Sequence, residues 1–149
     1  MAWTVFIDGK EGTTGLRIFD RLAERGEFSL LTLPEEKRKD ADARREAIHA
    51  ADIAILCLPY AAARESVALA EGSKTRILDT STAHRVAPGW AYGFPELSQK
   101  HRDAVVSGQY VAVPGCHASG FIALAAPLVA AGLIPADALL SCFSLTGYS

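Results

Sequence analysis

The sequence predicts an α/β fold: a Rossmann-like doubly wound parallel sheet, followed by the start of an interrupted α+β catalytic domain. Three observations predict it. Short β-rich runs alternate with helical patterns along most of the chain, a glycine-rich turn joins the first strand to the first helix, and residues 53–58 are apolar throughout. Alternation at this spacing implies right-handed crossovers and a parallel sheet. A wholly apolar strand suits a sheet covered on both faces.

Taken in order, Trp3-Thr4-Val5-Phe6-Ile7 is the first strand and glycine turns follow it. Residues 15–25 place Ile18, Phe19, Leu22 and Ala23 on one helical face, with Arg17, Asp20, Arg21 and Glu24 opposite. A second strand is expected over 28–33, then a charged stretch over 35–45 leading into a short helix that ends near Ala50. Pro59 stops the apolar strand at 53–58, a helix follows over 61–71, and Arg76-Ile77-Leu78-Asp79 is the fourth strand. Residues 80–109 collect glycine, proline and aromatic side chains, which suits functional loops with one short helix near 97–104. Tyr110-Val111-Ala112-Val113 is strand-like, an apolar helix is expected over about 118–131, and another strand over 138–145. Residues 1–115 are therefore read as a dinucleotide-binding domain. Residues 116–149 are read as the beginning of a catalytic and dimerisation domain, interrupted at Ser149.

Half of the 149 residues are apolar and 21% are charged, with a net charge of −2. That composition belongs to a globular protein and gives no reason to expect nucleic acid or an anionic membrane as partner. The most apolar stretch, 120–135, carries Pro127, Gly132 and Pro135 and is too short and interrupted to span a bilayer. Cys57, Cys116 and Cys142 are an odd number at wide spacing, which reads as reduced thiols and not as a zinc ligand set. With a strand pattern starting at once and no signal-like segment, a cytoplasmic location is expected.

Gly9, Gly12 and Gly15 stand at three-residue spacing between the first strand and first helix. Glycines there permit a tight turn and close backbone approach, and a pyrophosphate rests on the helix N-terminus. The spacing is the G-x-x-G-x-x-G variant of the dinucleotide loop. After the second strand an acidic residue would hold a ribose 2′-hydroxyl and a basic one a 2′-phosphate. Glu35 and Glu36 stand beside Lys37, Arg38 and Lys39, and three consecutive bases favour NADP(H) as the cofactor.

Cys116 lies in Pro114-Gly115-Cys116-His117, between a strand and an apolar helix. Free N–H groups and the positive end of a helix dipole favour thiolate, the form that attacks acyl carbons. Cys57 and Cys142 fall inside apolar strand patterns and are expected in the core. His117 adjoins Cys116, but neighbouring helical residues point about 100° apart.

Four segments together resemble N-acetyl-gamma-glutamyl-phosphate reductases of the shorter type. They are Gly12-Thr13-Thr14-Gly15; Cys57-Leu58-Pro59; Asp79-Thr80-Ser81-Thr82-Ala83-His84-Arg85 with Tyr92-Gly93-Phe94-Pro95-Glu96-Leu97; and Pro114-Gly115-Cys116. The resemblance implies NADPH-dependent reduction of an acyl phosphate, N-acetylglutamyl 5-phosphate, to the semialdehyde in arginine biosynthesis, with Cys116 as nucleophile. It implies cofactor contacts at Gly9, Gly12, Thr13, Thr14, Gly15, Pro59, Ser81 and Thr82, and substrate contacts at Ser81 and Arg85, whose planar fork suits a phosphate or carboxylate. It also implies a homo-oligomer at full length, and a histidine acid/base in a domain beyond a Gly-Tyr-Ser-Gly segment. The chain departs from the family at Val113, where many members carry asparagine, and at His117, where they carry an aromatic residue. Two other readings share these features: an aspartate-semialdehyde dehydrogenase, and a non-catalytic NAD(P)-binding module.

Overall fold

The computed structural model describes residues 2–145. Its core is a six-stranded, wholly parallel sheet in the order β2-β1-β3-β4-β6-β5. The elements are β1 (Trp3–Asp8), α1 (Thr13–Ala23), β2 (Phe28–Leu31), α2 (Ala41–Ala50), β3 (Ile53–Leu56), α3 (Tyr60–Leu69), β4 (Arg76–Asp79), β5 (Ala91–Tyr92), α4 (Gln99–Ser107), β6 (Tyr110–Ala112) and α5 (Cys116–Ala130). The chain steps from β1 to β2 on one side and returns past β1 to β3 on the other. That reversal opens a crevice above the carboxyl ends of β1 and β3, where doubly wound sheets bind ligands.

Strand alternation sorts the apolar residues onto two faces. Phe6, Ala54, Leu56 and Ile77 join Ala47 and Ile48 of α2 and Leu69 of α3 in one buried cluster. Val5, Ile7 and Ile55 form the other, covered by Ile18, Phe19 and Leu22 of α1. Thr75 ties the first layer together by donating its hydroxyl to the carbonyls of Ile48 (2.7 Å) and Ala51 (3.0 Å).

The register aligns the site. Asp8 pairs with Leu56, Leu56 with Asp79, Asp79 with Ala112, and Ala112 with Tyr92. One row of residues therefore crosses the sheet at its carboxyl edge. The next residues along each strand, Gly9, Cys57, Thr80, Val113 and Gly93, begin the loops that carry the candidate functional groups.

The alternating pattern is present as expected, with two additions and one correction. The loop-rich stretch contains the short edge strand β5, whose two residues are too few to leave a sequence signal. Helix α5 begins at Cys116 itself. The strand expected over 138–145 does not form: those described residues adopt no regular structure, with Leu139, Phe143 and Leu145 at least 84% exposed. A strand exists only by pairing, and no strand edge of the described chain receives this one. Cys142 is correspondingly exposed and not a core residue. The end of the Gly-Tyr-Ser segment, 147–149, lies outside the described residues.

Candidate active site

The three glycines of the β1–α1 turn do three different jobs. Gly9 has φ of +84°, and a Cβ there would sit 2.3 Å from the Cys57 carbonyl oxygen. At Gly15, buried on α1, a Cβ would sit 2.4 Å from the Gly9 carbonyl oxygen. Both are glycine because protein backbone passes too close for anything larger. At Gly12 the nearest atom to a Cβ is 3.6 Å away and φ is −76°, so the protein itself does not require glycine. Gly12 is the residue at the N-cap of α1, with Thr13 and Thr14 exposed in the first turn.

Helix caps distinguish the helices that border the site from those that do not. Asp40 caps α2 by accepting from the Ala43 N–H at 2.7 Å, and Ser98 caps α4 by accepting from the His101 N–H at 3.3 Å. The N-caps of α1, α3 and α5 are Gly12, Pro59 and Gly115, and none makes a side-chain cap bond. Their first N–H groups are left for solvent or a ligand anion.

A cavity of about 600 Å³ fills the crevice between the ends of β1 and β3. The glycine loop from Gly9 to Gly12 forms its floor, Leu33, Leu58 and Ala62 give apolar walls, and Arg38 and Lys39 stand on the β2 side. Lys37 does not line it. An apolar slot for a base, N–H donors for a pyrophosphate and two cations beyond the second strand together fit an adenine dinucleotide.

The wall of the cavity contains a group that sequence reasoning missed, with Asp8, Arg44 and Glu65 among the lining residues. Asp8, 5% exposed at its side chain, accepts from Arg44 Nε (3.2 Å), Arg44 Nη2 (3.0 Å) and Ser66 Oγ (2.6 Å). Arg44 also donates from Nη1 to Glu65 at 3.1 Å and from Nη2 to the Ser66 hydroxyl. The network joins the end of β1 to α2 and α3, directly below Gly9. The available signal was positional: Arg44 lies three and four residues before Ala47 and Ile48, on the buried stripe of α2.

At the other end of the row, Asp79 is fully buried and organises the β4 loop. It accepts from the Ser81 N–H (2.9 Å) and the Ser81 hydroxyl (2.8 Å), and its Oδ2 lies 2.6 Å from His84 Nδ1. Ser81 thus spends its hydroxyl on Asp79, while Thr82 beside it is exposed. Thr80 donates its hydroxyl to the Leu56 carbonyl at 2.9 Å, tying the β4 loop to the end of β3. The ring of His84 is buried and stacked on Trp90.

Arg85 reaches from this loop to the next. It donates from Nε to the Val113 carbonyl (3.1 Å) and from Nη2 to the Thr80 carbonyl (3.2 Å). Cys116 is exposed as the first residue of α5. His117 Nδ1 bonds to the Ser144 hydroxyl, and Cys57 is half-buried beside the glycine loop. Burial pushes the Cys57 thiol pKa up, opposed by a hydrogen bond with Thr80 and reinforced by the nearby Asp8 and Asp79 charges. Among the described residues no cluster of histidine, cysteine and carboxylate side chains could hold a metal ion. No described helix is long and apolar enough to cross a membrane.

Residues 4–105 match the family described as semialdehyde dehydrogenase, NAD binding domain. The chain belongs to that family. The chain is 54% identical over its whole length to the N-acetyl-gamma-glutamyl-phosphate reductase of Chelativorans sp., of which it covers 48%. Over 97% of its length it is 52% identical to the reductase of Brucella ovis (47% covered) and 48% identical to that of Trichormus variabilis (45% covered). The chain spans about half the length of the curated relatives it matches. Its fold is similar to aspartate semialdehyde dehydrogenase II of Vibrio cholerae, solved with ASA. That match has a TM-score of 0.66 and 16% identity, covering 88% of this chain and 47% of that one. The Candida albicans aspartate semialdehyde dehydrogenase, solved with NADP, also matches at TM-score 0.66 and 16% identity, with 88% and 48% covered. At that identity the two structures speak for the fold alone.

Proposed function

We propose that the chain is the cofactor-binding and nucleophile-bearing part of an N-acetyl-gamma-glutamyl-phosphate reductase using NADPH. The observation that carries the reading is the register row, which supports a single edge bearing both the glycine loop and the Cys116 turn. In this reading the cavity takes the adenine end of the cofactor, with the pyrophosphate over Gly12, Thr13 and Thr14. Arg38 and Lys39 meet the 2′-phosphate. Pro59, Ser81 and Thr82 would hold the nicotinamide end, and the bound cofactor would supply the hydride for reduction of the acyl group to the aldehyde.

The chain's own residues do the rest. The Cys116 sulfur attacks the acyl carbon, the bond from that carbon to the phosphate oxygen breaks, and inorganic phosphate leaves with the bonding pair. Once the carbon has been reduced, the carbon–sulfur bond breaks, releasing the aldehyde and returning the Cys116 thiolate. The open N–H groups at the start of α5 face the charge that develops there. Arg85 keeps guanidinium donors beyond its two carbonyl bonds, and these serve the leaving phosphate. Ser81 contributes through its position, since its hydroxyl is held by Asp79. Three free thiols suit a reducing compartment, and we assign the cytoplasm. A homo-oligomer accords with the exposed apolar surface of α5.

The test is an assay of the protein that carries this chain with N-acetylglutamyl 5-phosphate and with aspartyl 4-phosphate. Reduction of the first and not the second is expected, abolished by Cys116→Ser with NADPH binding retained. Preference for aspartyl 4-phosphate would transfer the reading to the dehydrogenase. NADPH binding with no turnover of either would favour a non-catalytic NAD(P)-binding module.

A further inference from the structure

We infer that Arg85 is a positioning residue that clasps the loops after β4 and β6 and thereby sets the turn presenting Cys116. The inference rests on the reading of Cys116 as nucleophile and adds a role to a side chain otherwise expected only to meet substrate.

The guanidinium makes two bonds to two different loops. Nη2 holds the Thr80 carbonyl just past the end of β4, and Nε holds the Val113 carbonyl just past the end of β6. The backbone beside it is joined in the same sense, for the Val113 N–H donates to the Asp79 carbonyl at 2.8 Å. Both acceptors are neutral carbonyls, and no carboxylate pairs with Arg85 among the described residues. A planar fork can reach two carbonyls on two loops at once; an ammonium on a flexible stem cannot hold that geometry.

Gly115 carries the argument further. Its φ of −79° and ψ of 153° are open to any residue, so the turn needs no glycine for its backbone shape. A Cβ there, however, would lie 2.7 Å from Arg85 Nη1, 3.2 Å from Cζ and 3.3 Å from Nη2. The bare face of Gly115 is packed against the guanidinium, one residue before the nucleophile. Glycine at 115 therefore lets the guanidinium sit against the turn, and a side chain there would push aside the flexible arginine tip without breaking the fold.

The test uses Arg85→Ala, Arg85→Lys, Gly115→Ala and the double variant Arg85→Ala/Gly115→Ala in the 149-residue chain. Hydrogen exchange of the 113–118 segment, read at the Val113 N–H that donates to the Asp79 carbonyl, reports the clasp. Iodoacetamide labelling resolved by peptide, with exposed Cys142 as internal reference, reads the thiol. Each single variant should speed exchange in that segment and slow Cys116 labelling relative to Cys142 by about tenfold, the effect of losing roughly one charge-assisted hydrogen bond. Melting temperature should fall by no more than about 2–4 °C, and NADPH titration should stay unchanged. The double variant should be no worse than either single, because both remove one contact. Unchanged exchange in Arg85→Ala overturns the clasp. So does a wild-type labelling rate in Arg85→Lys, which would mean that charge and not geometry matters. Additive single effects overturn it as well. If wild-type Cys116 labels no faster than Cys142 while exchange still responds, the clasp stands and the nucleophile reading falls.

Discussion

At the β1–β3 crevice every buried charge has its partner within the chain: Asp8 with Arg44 and Ser66, and Arg44 with Glu65. At the β6 end the surface is apolar and open. No residue of α5 is buried, and Phe121, Leu124 and Leu128 are 38%, 74% and 40% exposed. A helix that is apolar all round is normally a core helix. The cofactor crevice is thus completed by contacts local to the first four strands. The turn that carries Cys116 is held from one side only, by the β4 loop and Arg85. The candidate cofactor crevice is closed by its own contacts, whereas the turn proposed to carry the chemistry leads into an apolar helix with no buried residue.

The largest expected effect tests whether the crevice is self-supporting. Arg44→Met leaves Asp8 buried without its cation and should cost about 3–5 kcal/mol in urea unfolding. Cys116→Ser, on an exposed helix end, should stay within about 0.5 kcal/mol of the parent. Equal costs for the two would break the comparison.

Next in size are the glycines. Gly9→Val and Gly15→Val should lower the melting temperature strongly, because each Cβ meets backbone at 2.3–2.4 Å. Gly12→Val should melt like the parent and lose NADPH binding. An intact NADPH titration in folded Gly12→Val would remove the pyrophosphate from this loop.

Thiol reactivity sharpens the contrast from the other side. Exposed Cys116 should label before half-buried Cys57 at neutral pH. Burial raises the Cys57 pKa in the folded protein, so folding favours its protonated form. That contribution is complete below the unfolded thiol's value of about 8.5 and is lost as pH rises through the folded value. Stability should therefore fall more steeply above about pH 8.5 in the parent than in Cys57→Ala, as followed by urea titration at stepped pH. Parallel pH profiles would contradict the burial of Cys57.

The smallest effect concerns cofactor choice. Arg38→Ala and Lys39→Ala should narrow the preference for NADP over NAD by a few-fold each, and Lys37→Ala should not, since Lys37 does not line the cavity. Added salt should narrow the parent's gap in the same direction. Loss of preference in Lys37→Ala alone would move the 2′-phosphate out of the cavity.

The strand–helix alternation, the glycine loop and the position of Cys116 were legible because each is local: a period, a turn, a junction. The Asp8–Arg44–Ser66 group was not, because its members are 36 and 58 residues from Asp8 and meet only once the sheet has wound. Arg44 sat in a charged run that reads as solvated surface, and one residue of that run faced inward. The strand expected over 138–145 failed for the opposite reason. Its apolar pattern was real, but a pattern does not supply a neighbour to pair with. Arg85 was legible as a cation near the site; its hold on Val113 and Gly115 needed the register between β4 and β6.

The aromatic stack under the β4 loop gives the molecule an optical gauge of its own. Trp90 lies parallel to His84 at 4.1 Å between centroids and tilted 5.1 Å from Tyr110. The chain's other tryptophan, Trp3, is 57% exposed at the far end of β1. With Trp3→Phe, one indole remains as the emitter. Indole emission responds to its surroundings, and the imidazole stacked on Trp90 is fastened through Asp79 to Ser81. A rearrangement of the loop bearing Ser81 and Arg85 that disturbs the stack is then expected to change the emission without an added label.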